Sequence, residues 1–499
     1  MRPGIFRWMH FAALFCVLAI CAPDSADARR KRDKQLEQSL RSQIEILASD
    51  EFAGREPGTD GEARTLRYLA KRWFEVGLVS GTNDPGNEWF APVTLVAREP
   101  AVSVTQFRLG KRMVQLSEEE ALMLTSGNRS LVQDAPLLFV GTGDGAGISR
   151  NELAGRVALM LNGEESGSER QNALLAEGAS AVITILDGDR TLEQVAARRQ
   201  RSGYALSQDS VGGDLEGFVT RDAMQRVLAL GRSSVAALEE EAARPGFAPR
   251  IMRLSASLEA TNRETTIRTH NLLGRIPGRL PEAGAVVLVA HWDHFGVCGE
   301  ETAEDRICNG AIDNASGLAF ITEVAARLVR GPRLDRDVYF LATTAEELGL
   351  LGAHAFADNP PMPLGQIVAA LNIDSVAIAP RGTPIAIVGR GMTGLDDTIT
   401  EVAKREKRKL IENDEANEFV RRQDGWALIQ HDIPAVMVTS AYGDIERIRK
   451  FFDTDYHRPS DDLGQPIELG GAAEDVEFHL ALVRWLGDAT KFSPADKSP

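Results

Sequence analysis

The residues with the clearest chemistry in this 499-residue chain are imidazoles and carboxylates gathered in a few short motifs. His291 and Asp293 stand in AVVLVAHWDHFG, Asp313 in CNGAIDNASG, Glu346 and Glu347 in VYFLATTAEELGLLGAH, and Asp374 in IVAALNID. His457 follows in FFDTDYHRPSDD. Imidazole nitrogen and carboxylate oxygen are donors that zinc accepts, and several of them converging point to a hydrolytic centre with two metals. His291 is a ligand, and Asp293 is placed to hold the other imidazole nitrogen or a neighbouring group. Asp313 has two oxygens and small neighbours, which suits a bridging ligand. Of the adjacent glutamates, Glu347 binds metal while Glu346 faces the substrate as general base. Asp374 closes an apolar run, where an unpartnered carboxylate is costly to bury, so it should have a partner. Each metal then holds one histidine and one terminal carboxylate, with Asp313 and a water or hydroxide shared. His294 is close by, but Asp293 and Asp313 already serve that side. His354, His431 and His479 read as core or surface residues.

The elements that must carry these residues are short apolar runs. Residues 285–290, 338–343 and 367–373 read as buried parallel strands, and each donor group falls at a carboxyl end. Sites in open α/β sheets form there. Helices are expected over 34–46, 62–76 with Gly77 as its stop, 317–329, 347–357 and 474–486, and further strands over 384–388 and 435–439. The fold class is α/β: a mixed, mostly parallel central sheet flanked by helices. Residues 100–262 have another texture, with short strands at 136–140, 157–160 and 181–186, a helix at 172–178, and Gly-rich turns. From 100 to 261 there is no histidine, and the segment reads as a β-rich lobe inserted into the main domain. It serves substrate access or docking, or is an inert spacer.

Composition excludes some classes. The net charge of −16 argues against a nucleic-acid partner, and the basic run 29–34 reads as a solvated tail. Arg2 and Arg7, the apolar run 11–22 and the small-x-small Ala26-Asp27-Ala28 have the layout of a signal peptide over 1–28. An uncleaved anchor is the alternative. Removing 1–28 takes away two basic and two acidic residues, so the charge stays at −16. No other stretch is apolar and long enough to span a membrane, so a secreted or periplasmic location without stable membrane insertion is expected. Cys298 and Cys308 then remain, close together on one loop, and read as a disulfide or, less simply, as zinc ligands. The oligomeric state has no signature in the sequence. Residues 491–499 read as a disordered tail.

The motif set HWD, GAIDN-x-SG, EE, NID and DYHRPSD, in this order, resembles the zinc-dependent aminopeptidases of the M28 peptidase family. EFAGREPGTDGEARTLRYLAKRWFEVGL is similar to that family's N-terminal lead, leaving 29–99 and 263–490 as the peptidase domain. GRVALMLN and NALLAEGASAVITIL resemble its inserted protease-associated domain. The resemblance implies a zinc-exopeptidase, phosphorylase/hydrolase-like fold and two Zn2+ per chain. His291 and Asp374 would hold one, Glu347 and His457 the other, with Asp313 bridging, Glu346 as base and Asp293 behind His291. Tyr456 stands where relatives often have a tyrosine that polarises the scissile carbonyl, though it can also simply pack. Gln423-Asp424-Gly425-Trp426 departs from the family's usual Ser-Asp pair, which bears on substrate preference. The implied substrates are peptides with a free N-terminal amine. A carboxypeptidase or other amide hydrolase, a one-zinc glutaminyl cyclase and a non-catalytic binding ectodomain are the alternatives.

Overall fold

The computed structural model describes residues 26–142, 148–162, 167–187, 191–196, 203–209 and 214–493. The leader expected at 1–28 therefore lies outside the described residues, except for 26–28, which open the first helix.

Helix α1 (Ala26–Leu47) buries Leu36, Leu40, Ile44 and Leu47, a stripe at three- and four-residue spacing. Helix α2 (Asp60–Val76) begins at Thr59, whose hydroxyl accepts from the Gly61 amide, and ends at Gly77 with φ 101°. Only glycine takes that left-handed value without strain. Strand β1 (Phe90–Leu109) then leads away from the main sheet, and β2 (Arg129–Gly141) lies in the lobe that follows. Strand β3 (Arg250–Ile276) returns alongside β1, antiparallel from Ser255↔Arg108 to Leu272↔Phe90. Between them, β2 continues into parallel strands Val157–Leu161, Ala181–Ile185 and Leu215–Val219. This lobe has its own apolar core, with Phe107, Phe139, Leu159, Ile183, Val219 and Leu228 among its members.

The main sheet follows. Strand β4 (Ala285–His291), helix α3 (Ser316–Val329), strand β5 (Asp337–Thr343), helix α4 (Leu351–Asp358) and strand β6 (Ile367–Asn372) alternate along the chain. Strand β7 (Ala386–Val388), helix α5 (Asp424–Gln430), strand β8 (Ala435–Thr439), helix α6 (Ile445–Thr454) and helix α7 (Leu469–Leu486) complete it. The order is β7-β8-β6-β4-β5-β3, with β8, β6, β4 and β5 parallel and both flanking strands antiparallel to their neighbours. Strands buried on both faces must be apolar throughout. In β4, Val286, Leu288 and Ala290 face the layer that holds α1, α2, α3 and α7, while Val287 and Val289 face Phe356 of α4 and Leu428 of α5. The architecture is the mixed, mostly parallel α/β sheet expected.

Two expectations need correction. The helix expected from 347 begins only at Leu351, because Ala345 (φ 52°), Gly349 (φ 116°) and Leu350 (φ 60°) take left-handed conformations. A helix cannot pass through such residues, so the glutamates sit in a turn. The tail expected from 491 is anchored further on: Phe492 is buried and its carbonyl accepts from Arg336 Nη2 at 2.7 Å. Residues 494–499 lie outside the described residues.

Candidate metal centre

His291 ends β4 opposite Thr343, the last residue of β5, and Asp374 lies two residues beyond the end of β6. The three strands thus deliver their polar ends to one edge. His291 Nε2 lies 3.1 Å from Asp313 Oδ1 and 3.6 Å from Asp374 Oδ1. Asp313 belongs to a loop held from below, where the amides of Ile312 and Asp313 donate to the Asp461 carboxylate at 2.9 and 3.0 Å. Burial pushes the Asp461 carboxyl up to about 7, against those two donors.

Of the two partners expected for Asp293, the structure gives its carboxylate the neighbouring group rather than the imidazole nitrogen. His291 Nδ1 pairs with the backbone carbonyl of Asp293 at 3.1 Å, while the nearer carboxylate oxygen stands 3.9 Å away. The Asp293 carboxylate instead accepts from the amides of Glu346 and Glu347, at 3.1 and 3.4 Å. It fixes the glutamate turn and the histidine loop together. Across the pocket, His457 Nε2 is 2.8 Å from Glu347 Oε2 and 3.4 Å from Asp313 Oδ2. Tyr456 stacks on the His457 ring with centroids 3.6 Å apart.

The electrostatics are those of a pocket with surplus negative charge. Burial drives the Glu346 carboxyl well above the carboxylate range; His291 opposes this, and Glu347, Asp374 and Asp424 add to it. Burial likewise lifts Asp293 to about 7. It would lower His457, but Glu347 and Asp313 outweigh it and raise that imidazole to about 9. Asp313 is held low despite burial, by His291 and His457.

These residues fit a bound metal by a test internal to the structure. His291 Nε2, Asp313 Oδ2, Glu347 Oε1 and His457 Nε2 are buried atoms without hydrogen-bond partners, although each belongs to a residue in close contact with an opposite donor. Buried polar atoms are rarely left so. Close approach without alignment is what donors aimed at a shared point show. Two groups have their donor atoms within 4.8 Å of one another: His291, Asp313 and Asp374, and then His294, Asp313 and Glu347. Asp313 is common to both.

Sequence reasoning missed several participants. His294 is buried in the second group. Arg55, fully buried, donates to the carbonyls of Trp292 at 2.9 Å, Leu47 at 2.8 Å, Asn309 at 2.5 Å and Gly310 at 3.0 Å. It ties the histidine loop to the Asp313 loop, and burial lowers its pKa to about 10. Asp424 and Tyr442 are also buried beside these acids; burial lifts Asp424 to about 6 and raises the Tyr442 hydroxyl well above its usual range. The one signal for Asp424 was its place in the motif that departs from the family. Arg55, in FAGRE, had none beyond that lead. Cys298 and Cys308 are joined as a disulfide, Cα atoms 5.7 Å apart, on the loop between His291 and Asp313. His479 is buried in α7 and bonds the Asp475 carbonyl, and His354 and His431 pair with each other away from the centre.

A mixed sheet whose parallel strand ends carry two overlapping donor groups has the layout on which metal-dependent hydrolases are built. Residues 271–478 match the model of peptidase family M28, in agreement with the family resemblance drawn from the motifs; the lobe before residue 263 lies outside that match. Aminopeptidase YwaD of Bacillus subtilis (strain 168) is 26% identical over 226 residues, 45% of this chain and 40% of that protein. The match thus spans about two-fifths of that relative's length. The solved aminopeptidase from Aneurinibacillus sp. strain AM-1 superposes with a TM-score of 0.54 at 18% identity, over 91% of this chain and 96% of that one. At such identity the likeness speaks for the fold. BSAP, a zinc aminopeptidase from Bacillus subtilis, aligns with a TM-score of 0.46 at 17% identity, over 92% and 97% of the two chains. Among the described residues, no helix is long and apolar enough to cross a membrane.

Proposed function

We propose that the chain is an exported aminopeptidase that holds two zinc ions and removes N-terminal residues from peptides. One observation carries the reading: two donor groups, His291–Asp313–Asp374 and His294–Asp313–Glu347, meet on the shared carboxylate of Asp313, and His457, outside both groups, reaches Glu347 and Asp313 at 2.8 and 3.4 Å. Imidazole and carboxylate together suit zinc. When bound, the metals supply Lewis acidity toward the scissile carbonyl and toward water. His291 and Asp374 would hold one, Glu347 and His457 the other. Glu346 takes the proton of the attacking water and delivers it to the leaving amine. A carboxyl already held high by burial is suited to both steps. The Tyr456 hydroxyl would steady the negative oxygen of the tetrahedral state. Asp293 orients the glutamate turn. The acidic lining, with Glu346, Asp374 and Asp424, favours the cationic amine of a peptide over its carboxylate end.

The division of the chain belongs to the same proposal: a leader over 1–28, a peptidase domain over 29–99 and 263–490, and a protease-associated-type lobe over 100–262. The test is amino-acid release from a short peptide, measured with its N-terminal amine free and acetylated. Cleavage of the free peptide alone is expected. Equal cleavage of the acetylated peptide would move the enzyme to another class of amide substrate. No cleavage of either by a folded, metal-loaded sample would leave a binding protein.

A further inference from the structure

His294 has an environment that a packing histidine does not need. Its side chain is wholly excluded from solvent, and neither ring nitrogen makes a hydrogen bond. Among the described residues the other fully buried histidines differ: His291 bonds the Asp293 carbonyl through Nδ1, and His479 bonds the Asp475 carbonyl. Nδ1 of His294 nevertheless stands 2.5 Å from Glu347 Oε1, close but not aligned for a hydrogen bond. His291 Nε2 and His457 Nε2 approach their carboxylates in the same unaligned way.

The place of the ring is also built. The His294 amide donates to the Arg55 carbonyl at 3.3 Å, and the ring meets Phe295 and His457 edge-on, with centroids 5.2 and 5.9 Å away. Gly310, at φ +55°, packs against the ring: an added Cβ would clash first with the Asp313 carbonyl oxygen and would come 2.8 Å from both Arg55 Nη2 and His294 Cγ. A larger residue at 310 would disturb the Asp313 loop and the imidazole together.

From this geometry, and resting on the two-metal reading above, we propose that His294 is a protein ligand of the metal held by Glu347 and His457. That side then offers two imidazoles and two carboxylates. The other offers one imidazole, from His291, and two carboxylates, from Asp313 and Asp374. The nitrogen-richer side should favour zinc over manganese more strongly than its neighbour does, because imidazole suits zinc and carboxylate suits manganese.

The test is metal binding, independent of turnover. Metal-stripped wild type, His294→Ala and His294→Asn are titrated with zinc, and the visible absorption of their cobalt(II) forms is recorded. Asn is the decisive variant, since its amide can replace an Nδ1–H donor but not an imidazole ligand. The expected result is that both variants lose affinity at one site by more than about 100-fold, beyond the cost of losing an outer hydrogen bond to a ligand, with a changed cobalt spectrum and the other site intact. Wild-type affinity and spectrum in His294→Asn would overturn the proposal in favour of a hydrogen bond to Glu347. Unchanged binding in His294→Ala would overturn it outright. Should the Ala variant fail to fold, judged by circular dichroism, the Asn variant decides alone. Absence of metal from the wild type would instead overturn the functional reading beneath it, and the two failures are thereby distinct.

Discussion

His291 and Asp374 reach the centre from the ends of β4 and β6, whereas Glu347 and His457 reach it from turns and His294 from the loop that follows β4. The two flanks are secured by different means. β4 is paired along its length by β5 on one side and β6 on the other, so the position of His291 follows from the sheet ladder. The turn that carries Glu347 passes through Ala345, Gly349 and Leu350 in left-handed conformations, and His457 itself has φ 60° and a side chain 25% exposed. What holds the turns is buried polar bonding: the Asp293 carboxylate on the glutamate amides, Asp461 on the Asp313 loop, and Arg55 on the carbonyls between them. The strand-borne flank is rigid by topology and the turn-borne flank by a few named contacts. Local opening is drawn from segments of the second kind.

The sharpest break in this comparison falls between two adjacent residues of one turn. Glu346→Gln should lower turnover by about 10²- to 10⁴-fold, the usual worth of a general base, with metal content unchanged. Glu347→Gln should release one metal and retain the other. Steady-state rates set beside elemental analysis separate the two, and a Glu346→Gln enzyme with full turnover would end the assignment.

A smaller effect tests the flanks directly. Dialysis of the loaded protein against a chelator should remove metal in two phases, the turn-borne site emptying first. Asp374→Asn should abolish the slower phase and leave the faster one. Loss in a single phase would mean that the flanks are equally held.

The smallest effect concerns the bond network beneath. Arg55→Lys can keep only part of the four carbonyl contacts, so stability in urea should fall by about 1.5–3 kcal/mol, the range for hydrogen bonds to a charged group. An unchanged midpoint would show that those loops need no such tie.

The strand-borne flank was legible from the chain because apolar runs buried on both faces announce themselves, and a polar residue at their ends stands out. His291 and Asp374 could be read in that way. The turn-borne flank was legible only in part. Glu347 and His457 stood in recognisable motifs, but a helical pattern from 347 concealed a turn, since propensity does not report that Ala345 and Leu350 are driven into left-handed conformations. His294 was set aside because Asp293 and Asp313 were read as serving that side, and its packing against Gly310, sixteen residues away in sequence and adjacent in space, has no local signal. Arg55 lies more than two hundred residues before the carbonyls it binds at 292 and 309–310. Nothing local to either end signals such a contact. The lobe between β1 and β3 was visible by its change of texture, and its core contributes packing but no donor to either metal group.

Zinc titration of metal-stripped wild type beside Asp313→Asn asks whether both metals depend on the one carboxylate of Asp313. About two zinc ions per chain are expected in the wild type, with a joint weakening of both in the variant. A wild type that binds one zinc, or a variant that loses one site while the other keeps its full affinity, would contradict that dependence.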